Sequence, residues 1–279
     1  MKKQKKIFDT VSLHCSKITT KSYSTSFTIA IKLLKKEDRD AIYAIYGFVR
    51  LADEIVDSFH DYDRNKLLDE LRYSTIDALE KKISLNPIIN SFQNTVRFYG
   101  IEWPLIDSFL ESMEYDLNHD KCDEESYKQY IHGSAEAVGL MCLQVFSKDT
   151  IGQYQNLKVY AKSLGSAFQK INFLRDLNED YKVLNRVYFP NLDMDKFSNT
   201  EKKIIEDDIE KDFTHALKGI KLLDSGSKKG VYLAYQYYIK LFNTIKKKDA
   251  RNILERRVRI SNLRKFIILI FSQMRISIS

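Results

Sequence analysis

Asp53 and Asp57 stand four residues apart, and so do Asp176 and Asp180. Carboxylates at i and i+4 share one face of a helix, with Cβ atoms about 5–6 Å apart. Two like charges at ~6 Å repel by roughly 0.7 kcal/mol in water and about 3 kcal/mol at an effective dielectric of 20. The flanks are apolar: Ile42, Ile45, Val49, Ala52, Ile55 and Val56 surround the first pair, and Leu164, Phe168, Ile171, Phe173, Leu174 and Leu177 the second. Carboxylate pairs in such a setting call for cations. Magnesium takes hard oxygen ligands, keeps several waters and is held by one or two carboxylates together with phosphates. Arg50 and Arg175, each within one turn of an aspartate, add forked donors for phosphate oxygens. The chemistry expected is capture of an anionic diphosphate from both sides. Glu206 with Glu210, and Asp208 with Asp212, share the spacing, but they lie among Lys202, Lys203 and Lys211 and are expected to form a solvated helix face.

The aspartates need helices to aim them, and the pattern supplies two. Tyr46, Arg50, Asp53 and Asp57 fall at i, i+4, i+7 and i+11, and Gln169, Asn172, Asp176 and Asp180 at i, i+3, i+7 and i+11. Each set is a narrow polar stripe on a mostly apolar helix. Helical periodicity runs through nearly the whole chain, with breaks expected at 35–38, 59–63, 86–87, 100–104, 119–123, 147–152, 185–199 and 225–230. Hydrophobic residues make up 44%, while only three prolines and nine glycines punctuate 279 residues, which favours an all-α fold over a turn-rich one. No linker or fixed-period repeat divides the chain, so residues 1–279 read as a single domain of about ten helices.

The remaining composition narrows the class. Cys15, Cys122 and Cys142 form no CxxC pattern, so neither a disulfide framework nor a zinc site is suggested and a reducing cytoplasm is expected. The lysines at positions 2, 3, 5 and 6 are not followed by an apolar stretch of the secretory kind. The apolar run from Phe266 to Phe271 is far short of the roughly 20 residues that span a bilayer. A net charge of +7 suits diphosphates, lipid headgroups or nucleic acid; no nucleic-acid module is visible, and no nucleic-acid partner is expected.

The two motifs, 53-Asp-Glu-Ile-Val-Asp and 172-Asn-Phe-Leu-Arg-Asp-Leu-Asn-Glu-Asp, followed by 186-Arg-Val-Tyr-Phe-Pro, resemble the aspartate-rich motifs of the squalene and phytoene synthases. The resemblance runs from about Ser22 to Tyr238 and is specific in its combination of motifs. It implies an isoprenoid-synthase helical bundle around a deep central cavity, with magnesium, or manganese in its place, at the mouth. Asp53, Asp57, Asp176 and Asp180 match metal-coordinating aspartates, with Asn172 between metal and substrate. Ser24, Ser26 and Phe27 resemble a flap near the first diphosphate. Arg50, Arg175, Arg186 and Tyr188 match positions that contact diphosphate or close over it, and Tyr46, Tyr130 and Gln169 match positions in the cavity. Glu54 and Asn178 depart from the commoner pattern without replacing a matched ligand.

The implied reaction joins two prenyl diphosphates head to head through a cyclopropyl diphosphate. Two geranylgeranyl diphosphates giving phytoene is the nearer resemblance; farnesyl diphosphates giving squalene or dehydrosqualene are the alternative, followed by a non-enzymatic helical assembly factor. Phe27, Tyr46, Phe48 and Phe168 are candidates to face a carbocation. Gly133, Ser134, Ala135, Ala137, Gly139, Gly165 and Ser166 would give a slim wall, through helix packing or beside a substrate tail. Of the five histidines only His132 falls near the implied cavity, and no general base is assigned. The basic, apolar segment Arg256–Arg275 could rest on an anionic membrane from the cytoplasmic side.

Overall fold

A computed structural model describes residues 2–119, 122–182, 186–190, 192–255 and 258. The described residues form twelve α-helices, one π-helical turn and one short 3-10 turn, with no β-strand. The chain-order helices are α1 (Lys2–Tyr23), α2 (Thr25–Lys32), α3 (Lys36–Asp57), α4 (Arg64–Lys81), α5 (Pro87–Tyr99) and α6 (Trp103–Asn118). They continue with α7 (Glu124–Ile131), the π turn (His132–Glu136), α8 (Ala137–Phe146), α9 (Gln153–Lys182), α10 (Asn199–Leu222), α11 (Ser225–Lys246) and α12 (Ala250–Ile253).

Helix ends follow local chemistry. Asn86 accepts from the Ile88 and Ile89 amides with Pro87 in the first turn of α5, and Gly100 ends that helix at φ 68°, a conformation that strains residues with a Cβ. Ser198 and Glu201 cap α10 reciprocally. Asp224 caps α11 through the Gly226 and Ser227 amides. The break expected at 225–230 is therefore displaced: Leu223 and Asp224 form it, and Gly226 and Gly230 belong to α11. Gly230 is required by packing, since a Cβ there would meet the Ala30 carbonyl oxygen at 2.7 Å.

Two apolar clusters organise the bundle. One centres on Phe48, Phe92, Ile106 and Phe109, where the Phe48 and Phe92 rings stack at 4.0 Å. The other joins Ile171, Phe173, Tyr188, Ile209 and Phe213. Helix α3 is buried on nearly every side, as its narrow polar stripe requires. The 30-residue α9, about 45 Å long, packs against α8, α10 and α11. Phe48 thus sits in the core rather than on a cavity wall: it falls on the side of α3 opposite Asp53 and meets α5.

The α10 acidic residues divide: Asp208 and Glu210 lie on an exposed face as expected, whereas Glu206 and Asp212 differ from it. Glu206 is buried against Lys202, and Asp212 accepts from Ser166 at 2.7 Å and from buried Lys170 at 2.8 Å. Asp208 bonds the same lysine. Helix α9 reaches one side of this face through Ser166 and Lys170 and draws Asp212 into a half-buried ion pair.

Candidate active site

A cavity of about 400 Å³ opens between the two clusters. Ile31, Leu34, Ile45, Leu143, Phe146, Leu157, Ile220 and Leu223 supply its aliphatic depth, and Arg50, Asp53 and Asn172 stand on its polar side. Phe27, Tyr46, Phe168 and Tyr238 form an aromatic wall, with Phe168 stacked on Tyr238 at 3.8 Å and Phe27 tilted against Tyr46 at 5.8 Å. Tyr130 and Gln169 line the same space. Burial pushes the Tyr46 hydroxyl up to about 12, so it remains protonated at neutral pH.

Helices α3 and α9 bring the aspartates together. The Asp180 carboxyl is pushed up to about 8, first by burial and then by the charges of Asp176 and Asp57, the latter from the other helix. Asp53 is also raised, by burial and by Asp57, against the opposing fields of Arg50, Arg175 and Arg186. Each aspartate that pairs does so with an arginine. Arg50 bonds Asp53 and Glu54, Arg175 Nε donates to Asp176 at 2.9 Å, and Arg186 Nη1 reaches Asp57 at 3.4 Å. The Nε of Arg50 is buried without a hydrogen-bond partner, leaving one donor at the mouth for an anion. The Tyr23 ring covers that guanidinium at 4.2 Å.

The remaining sequence-selected residues fall around this mouth. Ser24 caps α2, accepting from the Phe27 amide at 3.1 Å, and thereby fixes where Phe27 enters the cavity. Ser26 lies half-buried on α2 and does not line the cavity. Asn172 accepts from the Tyr238 hydroxyl at 3.3 Å. Tyr188 and Arg186 are buried beside the mouth. His132 bonds Glu136 at 2.9 Å and faces a separate polar cleft with Ser108, Glu111 and Gln129, outside the cavity. The segment Arg256–Arg275 lies outside the described residues, Val258 excepted.

One residue that organises the mouth was not selected from the sequence. Asp116, on α6, is 8% exposed and accepts from Tyr130 at 2.5 Å and from Tyr188 at 2.8 Å. Its carbonyl oxygen accepts from Arg186 Nη2 at 2.7 Å. Burial pushes its carboxyl up to about 7, against the pull of Arg186 and the two tyrosines. Asp116 thus ties three site residues to Asp57 through Arg186. A signal existed: Phe109, Met113 and Asp116 share one helical face, so a carboxylate occupies a core position.

Mouth carboxylates and arginines from two long helices, set over an apolar cavity in an all-helical bundle, make this an isoprenoid-synthase fold. A profile of the squalene/phytoene synthase family matches residues 20–264, and the chain belongs to that family. It is 26% identical over 204 residues to the 4,4'-diapophytoene synthase of Staphylococcus haemolyticus, a match covering 71% of this chain and 67% of that protein. It is 25% identical over 183 residues to the phytoene synthase of Mycobacterium tuberculosis, covering 63% of this chain and 57% of that one. The crystal structure of a dehydrosqualene synthase superposes with a TM-score of 0.83 at 20% identity, over 97% of this chain and 98% of the other. Among the described residues no helix is long and apolar enough to cross a membrane.

Proposed function

We propose that this chain is a transferase that joins two prenyl diphosphates head to head, with phytoene from two geranylgeranyl diphosphates as the product. The observation that carries the reading is the mouth: Asp53 and Asp57 from α3 with Asp176 and Asp180 from α9, set among Arg50, Arg175 and Arg186, over an aliphatic and aromatic cavity. A fifteen-carbon counterpart is the second reading, supported by the likeness to a diapophytoene synthase and a dehydrosqualene synthase.

The residues fit magnesium, or manganese, held jointly with substrate. No trio of acidic, histidine or cysteine groups among the described residues closes a cage of protein ligands by itself. Asp53 and Asp180, raised by burial and by the neighbouring charges of Asp57 and Asp176, mark a surplus of negative charge, and Arg50 keeps an unused buried donor. That combination suits a cation that retains water and shares phosphate oxygens. Asp53, Asp57, Asp176 and Asp180, with Asn172, would hold it, and when bound it supplies charge stabilisation to a departing diphosphate.

The chain's own groups do the rest. Arg50, Arg175 and Arg186 bind diphosphate oxygens. The C1–O bond of one allylic substrate breaks, and its electron pair leaves with the diphosphate. The double bond of the second substrate attacks the resulting cation, and the ring closes with loss of a proton from the newly bonded carbon to the released diphosphate, giving a cyclopropyl diphosphate. A second ionisation, rearrangement and proton loss yield the conjugated triene. The cavity excludes water, and the ring faces of Phe27, Tyr46 and Phe168 tolerate positive charge. The released diphosphate takes the final proton. Work on such apolar molecules suits peripheral contact with an anionic membrane from the cytoplasmic side.

Purified protein incubated separately with C15 and C20 diphosphates, with and without NADPH, tests the reading through the hydrocarbon formed. Phytoene without NADPH is expected; a fifteen-carbon-derived product instead selects the second reading. Asp53→Asn and Asp176→Asn should each lower turnover by about 10³-fold or more with unchanged helix content. Turnover retained in either variant, or no diphosphate release by the parent protein, overturns the assignment and leaves a non-enzymatic scaffold.

A further inference from the structure

Helix α1 is built inside out. Ser12, Ser16 and Thr20 face inward and are fully buried; Ser12 and Ser16 meet polar partners on α5, while the Thr20 hydroxyl donates to the Ser16 carbonyl within α1. Ser16 and Ser91 share a hydrogen bond at 2.6 Å, and Asn90 donates to Ser12 at 3.0 Å and to Asp9 at 3.1 Å. Gly47 of α3 completes this close approach, since a Cβ there would meet Ser16 Oγ at 2.8 Å. Leu13 packs on the core, but the other three aliphatic residues point the other way: Ile7, Val11 and Ile18 are 60%, 50% and 52% exposed. At about 100° per residue the three fall within about 40° of arc, diametrically opposite the buried hydroxyls. Lys6 and Lys21 follow along one flank of that line, with Lys17 between them paired to Asp40 at 2.7 Å. The C-terminal end of α1 reaches the cavity mouth, where Tyr23 covers Arg50.

An amphipathic helix normally turns its aliphatic face to the core. Here the core side is already satisfied by hydrogen bonds, so the outward aliphatic line needs another explanation. A second copy docking on the same face would bring two lysine rows together, which opposes association. A surface of opposite charge and apolar interior matches both features. We propose that the outer face of α1 is a docking surface for an anionic phospholipid bilayer, lying in the interface with Ile7, Val11 and Ile18 below the headgroups and the lysines among them. This places the cavity mouth beside the lipid.

The test uses the full chain and does not use turnover, so its failure is separate from failure of the proposed reaction. Binding is measured by co-sedimentation with phosphatidylcholine vesicles with and without about a third phosphatidylglycerol. Wild type should partition to the anionic vesicles and lose binding as salt rises. The triple variant Ile7→Gln/Val11→Gln/Ile18→Gln should lower the partition coefficient about tenfold or more, and Lys6→Gln/Lys21→Gln should lower it about tenfold and flatten its salt dependence. Val11→Trp, which deletes nothing, should gain fluorescence quenching by brominated lipid. Triple-variant binding equal to wild type overturns the proposal. So does a variant that only splits a dimer in sedimentation velocity, which assigns the face to a second copy. A lowered Tm with unchanged vesicle binding also overturns it and assigns the face to the chain itself.

Discussion

Asp116→Asn is the substitution on which the geometry of the mouth makes its most specific demand. In the folded protein the Asp116 carboxyl titrates at about 7, against 3.8 for an ordinary aspartate, because burial disfavours its charged form. A group whose folded pKa is raised adds stability below its unfolded pKa and loses it as pH climbs through the folded value. Between pH 5 and pH 8 this one residue should therefore remove about 2–3 kcal/mol of stability from wild type. Asparagine has no such titration. It retains an acceptor for one of the two hydroxyls and leaves the other acceptor position occupied by an amide, a defect of about 1–2 kcal/mol at any pH. Relative to wild type the variant should gain stability between pH 5 and pH 8 and be the more stable protein at pH 8. Urea unfolding of both proteins at the two pH values measures this, and taking the difference between them cancels titrations they share. A gap that stays constant within about 0.5 kcal/mol would refute the placement of Asp116 as a buried carboxyl that is neutral below pH 7. Asp116→Ala separates geometry from charge: with Tyr130 and Tyr188 both left without an acceptor, it should be about 1–3 kcal/mol less stable than Asp116→Asn at both pH values.

Three further outcomes follow from other parts of the molecule. Magnesium with inorganic diphosphate should release protons from the protein at pH 7.5, beyond those from diphosphate alone, because Asp180 holds a pKa raised to about 8 until a cation binds; calorimetry in buffers of different ionisation enthalpy reads the number, and zero would contradict the convergence of α3 and α9. Gly165→Ala should lose about 1–3 kcal/mol in thermal unfolding and also slow turnover, since its Cβ would meet the Ala135 carbonyl oxygen at 2.6 Å and push the cavity wall. Lys170→Met should lower stability by about 3 kcal/mol at pH 8, leaving Asp208 and Asp212 without their cation, and adding Asp212→Asn should recover part of it; a silent Lys170→Met would mean that network is solvated after all.

The two polar stripes were legible because their chemistry conflicts with their setting. An acidic residue every turn on an otherwise apolar helix has few structural explanations, so Asp53, Asp57, Asp176 and Asp180 announced both the helices and the site. The helix breaks at Asn86, Gly100 and Asp123 were equally readable, since cap residues act locally. Long-range packing was not. The lysines around Glu206 and Asp212 read as a wet surface until α9 lies across them, and nothing near Phe48 says that its partner is Phe92 rather than a ligand. Asp116 interrupts a core face only once, without the repetition that made the stripes visible. Tail length depends on how far Phe146, Leu157 and Leu223 sit from the mouth, a property of several helices jointly rather than of any one segment.

The π turn at His132–Glu136 shows how this site depends on a register that helical periodicity alone does not supply. Tyr130, Ser134, Ala135, Val138, Gly139 and Cys142 all face the cavity, a spread that includes Tyr130 at the aspartate end and Cys142 among the aliphatics. A π turn inserts an extra residue per turn and shifts the face that follows. Here it lets Tyr130 bond Asp116 while the small residues after it remain on the wall. Gly133 and Gly165 make the wider turn possible: a Cβ on Gly133 would meet Ser112 Cβ at 2.8 Å, and one on Gly165 would meet the π turn's own backbone. The small residues are therefore packing and cavity features at once. Close approach of α6 and α9 to the π turn, needed for its unusual geometry, is also what leaves room beside it for an apolar tail.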